Sequence, residues 1–243
     1  MDLSLTAVYS ALSAAQSAME NTSQDLANVR TPGYRPQQPL FESTVSSLWQ
    51  GADGSEERLP WGVQFSPGRP LQQDGPLQAS SDPLHAALSD SGDYFTVQTP
   101  QGTAYTRDGA FRMDGSGRLV DASGNPVLGE DGPIEGGGAG GRIGPDGSFS
   151  ADGIPPQKLA VANLQGRDLR REGAQLFTLA PGQSSAPAKG AVVPGTLEGS
   201  GADTFKGMAE LVTLSRWAES VQKAAKAGDD SAEALIQAAK LSN

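Results

Sequence analysis

The chain has 243 residues, a formal net charge of −10, one histidine and no cysteine. The acidic balance argues against a nucleic-acid binder, because phosphate neutralisation needs clustered lysine and arginine side chains. Without cysteine there is no disulfide or cysteine-ligated zinc, and a single histidine excludes any site that needs two imidazoles. No run of about 18 apolar residues occurs, which argues against a membrane-spanning helix.

Glycine is concentrated in the middle of the chain. Of 31 glycines, one lies in residues 1–50 and two lie in residues 204–243, which leaves 28 for residues 51–203. This composition, together with 17 prolines, is typical of turn-rich β structure rather than of a helical enzyme. The sequence therefore predicts two helical ends around a β-rich middle.

The first helix is predicted from a heptad seam, whose positions alternate in steps of three and four residues. The seam consists of Leu5, Val8, Leu12, Ala15, Met19, Thr22 and Leu26. We expect the helix to end near Arg30, because Thr31 precedes a proline and such a residue disfavours the α conformation. Pro32 and Gly33 then suit the central positions of a type II turn, in which the second position has a positive φ. The first residues lack the basic and continuous apolar segments of a cleaved secretory signal.

The middle of the chain predicts an extended connector followed by a β domain. Residues 35–80 carry many prolines and glutamines and give no clear period. Residues 81–196 contain short apolar runs separated by Asp-Gly and Ser-Gly turns, which is the pattern of a meander or small barrel. Strands are expected at 94–98, 104–106, 110–113, 118–120, 126–128, 158–162 and 175–179.

The second helix, within residues 197–243, repeats the seam. Its positions are Leu211, Leu214, Ala218, Val221, Ala225, Gly228, Ala232, Leu235 and Ala239. Asp203 or Thr204 can cap its start, and Gly228 predicts a kink or local fraying. Periodicity alone leaves open whether the two seams form a private helical hairpin or dock on other subunits.

No pattern in the chain supports catalysis or a cofactor. Gly136, Gly138 and Gly141 satisfy a GxGxxG spacing, but the residues that follow cannot open the helix that a dinucleotide site needs. His85 lies among apolar neighbours, and the chain contains no Gly-x-Ser-x-Gly elbow. We therefore expect no enzyme activity, no cofactor, no metal site and no small-molecule substrate.

Three stretches resemble bacterial flagellar rod and hook proteins. The first is Leu26-Ala27-Asn28 followed by Thr31-Pro32-Gly33-Tyr34, the second is Tyr105-Thr106-Arg107-Asp108-Gly109, and the third is Leu197-Glu198-Gly199-Ser200. The chain departs from the family at Gln24-Asp25, where two asparagines are usual, at Gly201, where asparagine is usual, and at Trp217, where tyrosine or phenylalanine is usual. The short length and the run at 127–134 are most similar to the proximal rod proteins, with the distal rod proteins next.

The resemblance implies an α+β fold in which N- and C-terminal helices pair as a coiled-coil-like inner axial domain around an inserted Gly-rich β domain. The corresponding boundaries are 1–34 for the first helix, 35–80 for the connector, 81–196 for the β domain and 197–243 for the second helix. Subunit packing is assigned to Leu5, Val8, Leu12, Ala15, Met19, Leu26, Asn28, Pro32, Gly33, Tyr34, Met208, Leu211, Leu214, Trp217, Ala218, Val221 and Leu235.

The function implied is that of a structural subunit of the periplasmic flagellar rod, which assembles with other rod proteins and transmits torque. Such subunits pass through the flagellar type III export apparatus without a cleaved signal. The partners expected are therefore rod subunits and that apparatus, not nucleic acid or a membrane. The alternatives are a distal rod protein and a soluble β-domain binding protein whose helices form a private hairpin.

Overall fold

A computed structural model of the chain describes residues 2–50, 56–70, 73–136, 141–166 and 169–241. Side chains are described for residues 7–37, 73–136, 141–166, 169–228 and 230. Among the predicted positions, Leu5, Gly138, Ala232, Leu235 and Ala239 lie outside them. The fold is α+β, with a helix near each end and β structure between them. The predicted helix–β–helix order is confirmed.

The elements follow one another as many short strands between two long helices. In chain order they are α1 (Asp2–Ala27), β1 (Gln37–Gln50), β2 (Glu56–Pro70), β3 (Leu77–Ala79), β4 (Ala86–Leu88), β5 (Asp93–Thr99), β6 (Gly102–Thr106), β7 (Arg112–Met113), β8 (Leu119–Val120), β9 (Leu128–Gly129), β10 (Gly132–Pro133), β11 (Arg142–Ile143), β12 (Ser148–Ser150), β13 (Gln157–Lys158), β14 (Val161–Asn163), β15 (Leu169–Glu172), β16 (Leu176–Leu179), β17 (Ala186–Pro187), β18 (Val192–Pro194), β19 (Thr196–Glu198) and α2 (Thr204–Leu241).

The chain divides into two compact units. We call the first the helical unit, which comprises Met1–Leu26, Gln38–Gly68 and Thr204–Asn243. The second, the β unit, comprises Ala27–Gln37 and Arg69–Asp203. These boundaries differ from the expected ones at three places. Residues 27–34, expected in the inner axial domain, belong to the β unit. Most of the expected connector forms the two-stranded β1–β2 ribbon, and residues 197–203 belong to the β unit because β19 pairs with β3.

In the helical unit, α1 buries a wider face than the predicted seam. The seam residues Ala15 and Thr22 are buried, and so are Ala14 and Ala18, which lie on the adjoining stripe. Thr22 tolerates burial because its hydroxyl donates to the carbonyl oxygen of Ala18 at 2.9 Å. The remaining seam residues described, Val8, Leu12, Met19 and Leu26, are half-buried.

Helix α2 follows its predicted seam closely through its first six turns. Half-buried positions recur with the seam period, at Gly207, Leu211, Leu214, Ala218, Val221 and Ala225, while most positions between them are exposed. A Cβ built on Gly207 would lie 3.9 Å from Thr22 Cγ2 and 4.0 Å from Leu26 Cδ1. The end of α1 and the start of α2 therefore lie side by side.

The residues around Gly228, where a kink or local fraying is expected, are helical. Helix α2 runs without interruption from Thr204 to Leu241 and passes through this glycine. A single glycine lowers helix stability by about 1 kcal/mol relative to alanine, which 38 residues of continuous helix absorb.

The β unit is built on a six-stranded antiparallel sheet with the order β15-β16-β6-β5-β14-β17. The pairing of β5 with β6 sets Phe95 opposite Thr106 and Val97 opposite Ala104. Phe95 and Val97 point to the same face because side chains alternate along a strand. That face covers the larger core cluster, in which Phe95 and Phe111 form an edge-to-face pair with centroids 4.9 Å apart.

The opposite face of the same sheet carries a second, smaller core cluster. It consists of Tyr94, Ala162, Leu164 and Phe177, and the rings of Tyr94 and Phe177 lie edge to face at 5.7 Å. Burial on both faces explains why β5 reads as an almost continuous buried run instead of an alternating one.

Gly228→Ala tests the continuity of α2. A Cβ at Gly228 meets no atom within 4 Å, so the substitution removes backbone entropy from the unfolded chain without a clash. We expect the free energy of unfolding of α2 to rise by about 0.5–1 kcal/mol, measured by thermal melting of the far-ultraviolet circular dichroism. Gly115→Ala is the matched control, since Gly115 also has open space but lies outside the helices. An unchanged or lower melting point for Gly228→Ala would contradict a continuous helix.

Candidate functional site

The turn that follows α1 is the first part of the site. The amide of Tyr34 donates to the carbonyl oxygen of Thr31 at 3.3 Å and closes a four-residue turn. Gly33 has a φ of 65°, which confirms the positive φ predicted at this position. A preceding turn is closed by the amide of Thr31, which donates to the carbonyl oxygen of Asn28 at 3.0 Å.

Gly33 is required by close packing as well as by its φ. A Cβ at this position would lie 2.5 Å from the backbone nitrogen of Asp108 and as close to the backbone of Arg107. On its other side, the amide of Gly33 donates to the carbonyl oxygen of Glu198 at 2.9 Å. The Thr-Pro-Gly-Tyr turn is therefore held between the Tyr-Thr-Arg-Asp-Gly run and the Leu-Glu-Gly-Ser run, so the three motifs meet at one place.

A buried ion cluster occupies the centre of this junction. The carboxylate of Glu198 is 2.5 Å from Nη2 of Arg107 and 3.1 Å from Nη2 of Arg35. The side chains of all three residues are at most 1% exposed. Glu198 also accepts a hydrogen bond from the amide of Gly75 at 3.3 Å. One carboxylate thus pairs with two buried guanidinium groups from distant parts of the chain.

Arg107 uses the rest of its guanidinium to tie strand ends together. Nη1 donates to the carbonyl oxygens of Asp90 at 2.7 Å and Asp93 at 2.6 Å, and Nη2 donates to that of Leu88 at 3.3 Å. These carbonyls lie at the end of β4, in the following loop and at the start of β5. The guanidinium presents five N–H donors in a fixed planar fork, whereas a lysine ammonium has three around one nitrogen, so arginine suits a site with this many separated acceptors.

The burial of Arg35 is stabilised more by ion pairs, and less by hydrogen bonds, than that of Arg107. Its Nη2 donates to the carboxylate of Asp74 at 2.7 Å and to the carbonyl oxygen of Ser91 at 3.4 Å. Its Nε and Nη1 are buried and make no hydrogen bond to any atom in the described part of the chain. The Coulomb attraction of Glu198 and Asp74 must therefore offset much of the desolvation of Arg35.

An arginine–aromatic layer lies beside the ion cluster. The guanidinium of Arg171 lies 4.7 Å from the ring centroid of Tyr34 and 5.1 Å from that of Phe177, and it donates to the carbonyl oxygen of Arg35.

Burial raises the pKa of the Tyr94 hydroxyl, an effect that the positive charges of Arg35 and Arg107 partly oppose.

Gln175 and Asp108 connect the turn to the sheet. Nε2 of Gln175 donates to the carbonyl oxygen of Pro32 at 3.0 Å and to the carboxylate of Asp108 at 2.9 Å. The other oxygen of Asp108 accepts from the amide of Ala110 at 2.9 Å. Burial raises the pKa of Asp108 even though these hydrogen bonds favour the charged form.

The segment after β19 completes the junction from the C-terminal side. The amide of Gly201 donates to the carbonyl oxygen of Tyr34 at 2.9 Å, and that of Gly199 donates to Pro76 at 2.9 Å. A Cβ at Gly201 would lie 2.7 Å from the carbonyl oxygen of Gln73. The departure from the family's usual asparagine at this position is thus accompanied by close approach of the backbone around Gln73.

The predicted packing residues separate into two groups. Asn28, Pro32, Gly33 and Tyr34 belong to the β unit and surround the junction, whereas the predicted positions on α1 and α2 belong to the helical unit. Sequence reasoning missed Arg35, Arg171 and Gln175 altogether. Arg107 and Glu198 lie within the motifs quoted above, but their burial was not predicted. Charged residues are rarely fully buried, and composition does not indicate which ones are exceptions.

No feature of the described residues supports chemistry on a ligand. No group of three or more histidine, aspartate or glutamate side chains among them is placed to hold a metal ion. Within the same residues, none of the helices combines the length and the apolar character needed to cross a membrane. His85 instead serves locally, with Nδ1 2.7 Å from the hydroxyl oxygen of Ser80.

Comparison with known proteins identifies the architecture. A family model described as the flagellar hook protein FlgE/F/G D1 domain matches residues 90–153. The flagellar basal-body rod protein FlgF of Salmonella typhimurium is 30% identical over 247 residues, which cover 92% of this chain and 94% of that protein. This chain belongs to the flagellar basal-body rod protein family. FlgF of Escherichia coli is 29% identical over 93% of this chain and 95% of that protein, and FlgG of Bacillus subtilis is 28% identical over 96% and 98%.

The matched domain covers only part of the junction of this rod protein. Asp93 and Arg107 lie inside residues 90–153, whereas Arg35 and Glu198 lie before and after them. The D1 domain therefore contributes one arginine to an ion cluster that the flanking segments complete.

Gly33→Ala separates close packing from backbone strain. Gly124 provides the control, because its φ of 88° is also positive but a Cβ there meets no atom within 4 Å. Gly124→Ala should lower the free energy of unfolding by about 1–2 kcal/mol, the cost of a left-handed conformation. Gly33→Ala should lower it by about 1–3 kcal/mol more, because the backbone of Arg107 and Asp108 must shift. Equal losses in urea titrations of the two variants would show that the close approach is unimportant.

Glu198→Gln tests the ion cluster. Two buried guanidinium groups lose their shared carboxylate, so we expect the free energy of unfolding of the β unit to fall by about 3–5 kcal/mol. Near-ultraviolet circular dichroism of the buried tyrosines during urea titration measures this. Glu130→Gln is the control, because Glu130 pairs with Lys158 at 3.1 Å on the surface and should change stability by less than about 1 kcal/mol. A loss for Glu198→Gln no larger than that of the control would refute the assigned role.

Proposed function

We propose that this chain is a structural axial subunit of the bacterial flagellar rod, most similar to the proximal rod protein FlgF, which self-assembles with other rod proteins and transmits torque. Family membership supports the rod assignment and assembly with other basal-body rod components. The observation that carries the assembly role is an exposed apolar stripe on α2. FlgG of Bacillus subtilis matches at nearly the same identity, so the distal rod protein remains the second candidate.

The exposed stripe consists of Phe205, Met208 and Val212. Their relative exposures are 86%, 51% and 53%. Spacings of three and four residues place these side chains on one helix face, which is separate from the half-buried seam at Gly207, Leu211 and Leu214. Contiguous exposed apolar surface on a soluble chain marks an interaction site. Helix α2 therefore has one apolar face for its own unit and another for a neighbouring subunit.

We infer that the two seams pair as a coiled-coil-like inner axial domain. The proximity of Gly207 to Thr22 and Leu26 supports pairing where α1 ends and α2 begins. Small seam residues such as Ala15 and Ala218 permit close helix approach but bury little area, so such a pair gains stability when neighbouring subunits cover its outer faces. The predicted packing residues on both helices are assigned to this domain.

The β unit is proposed to bear load. Its doubly covered sheet and buried ion cluster support a stiff unit, which torque transmission requires. We further propose a periplasmic rod location and passage through the type III export apparatus without a cleaved signal, as the family resemblance implies. The role is non-enzymatic, and its partners are protein subunits rather than nucleic acid, membrane or a small-molecule substrate.

Val212→Asp tests the assembly surface. A carboxylate on the exposed stripe costs nothing in the free subunit, but it would be buried without a partner in the assembled rod, at a cost of several kcal/mol. We expect rod incorporation and motility to be lost while the melting curve of the purified subunit stays unchanged. Thr213→Asp, one residue along on an exposed position away from the stripe, should assemble normally. Motile cells carrying Val212→Asp would contradict the proposal.

Leu214→Asp provides the contrast on the seam. Because Leu214 is half-buried, this change should lower both the helicity of the purified subunit and rod incorporation. If removing both helices left an independent ligand-binding activity in the β unit, the soluble binding-protein alternative would be favoured instead.

A further inference from the structure

We propose that the segments Thr31–Arg35 and Gly195–Gly201 form a conformational lock that opens and closes as one unit, separately from the hydrophobic core, and so couples the end of α1 to the start of α2. Both segments belong to the β unit. Thr31–Arg35 follows α1 after a short turn, and Gly195–Gly201 ends three residues before α2. The proposal concerns the free subunit and is independent of the rod assignment.

The two segments are joined by reciprocal backbone contacts. The amide of Gly33 donates to the carbonyl oxygen of Glu198, and the amide of Gly201 donates to the carbonyl oxygen of Tyr34, each at 2.9 Å. The side-chain pair Arg35–Glu198 adds a third contact between the same two segments, at 3.1 Å. Neither segment can leave its place without breaking all three contacts, so their opening is expected to be concerted.

The lock is held largely by polar contacts, with Tyr34 as its buried aromatic side chain. Both core clusters draw their buried members from residues between Ala86 and Phe177, and neither includes a residue of the lock. Regions with few apolar contacts open at lower free energy than the core strands, in contiguous cooperative units. The lock therefore has the composition of a separate opening unit placed on top of a stable core.

Glu198 is the residue on which closure depends. Within the lock and its surroundings, it is the carboxylate that is fully buried against both Arg35 and Arg107, whereas the side chain of Asp74 is 54% exposed. Glu198 also lies near the C-terminal end of the β unit. The two arginines thus obtain their buried counter-ion only when the chain beyond β18 is in place. Closure of the lock is therefore a late step in the folding of the β unit.

Native-state hydrogen exchange on the full chain tests the lock directly. Gly33 and Gly201 report on the lock, and Leu119 and Val127 report on the core, since their amides donate to the carbonyl oxygens of Ile134 and Leu119. We expect Gly33 and Gly201 to share one protection factor within about threefold, and the core amides to be protected about tenfold or more beyond it. Equal protection of lock and core, or unrelated values for Gly33 and Gly201, would overturn the proposal.

Glu198→Gln adds a coupling test. Protection at Gly33 and Gly201 should fall by the same factor, about 100-fold or more, with the core amides remaining the better protected pair. A fall at Gly33 alone would overturn the concerted opening. If Glu198→Gln does not fold, Asp74→Asn replaces it, because Asp74 binds Arg35 at 2.7 Å from a half-exposed position. That variant should lower both lock amides by one smaller common factor, and unequal changes would overturn the proposal. Glu130→Gln should change neither amide.

Discussion

The structure of the β unit depends on one carboxylate that pairs with two buried arginines. Without Glu198, the guanidinium groups of Arg35 and Arg107 would be desolvated with only a half-exposed aspartate nearby. A buried ion pair of this kind adds little net stability compared with apolar packing, but it heavily penalises any arrangement in which a partner is missing. Its effect is therefore to specify which segments must come together, and the three segments involved are far apart in the chain.

Steric fit reinforces this electrostatic requirement. Gly33, Gly75 and Gly109 each lie where a Cβ would overlap the backbone of another segment, against Arg107 and Asp108, against Gly199 and against Ala86 respectively. Close backbone approach lets the amides and carbonyls of the turn, the Arg107 loop and the C-terminal segment bond directly to one another. The ion pairs determine which segments meet in this junction, and the glycines allow the backbones of those segments to approach closely enough to exclude water.

The sequence predicted the helices and most of the strands well, because both have a period that burial imposes. The seam on α2 is an example, since half-burial at Leu211, Leu214, Ala218 and Val221 follows from the amphipathic pattern alone. The positive φ of Gly33 was equally predictable, because Pro-Gly has a local turn preference. The ion cluster was not, because Arg35 and Glu198 are 163 residues apart and no local pattern indicates which charged residues become buried. At Gly228, where a kink or local fraying is expected, the helix continues, because a long helix tolerates a single glycine.

The two units are stabilised in different ways, and this difference is consistent with the proposed role as an assembling subunit. The β unit has two apolar clusters and a network of buried ion pairs. The helical unit buries mainly alanines on α1 and half-buries the seam of α2, while Met208 and Val212 remain more than half exposed. Apolar area left in water in the free subunit becomes a driving force once a neighbour covers it. The segments next to both helices are anchored in the same junction of the β unit. Under the proposed assembly role, a subunit built in this way has a defined β unit before a neighbouring subunit covers its exposed stripe.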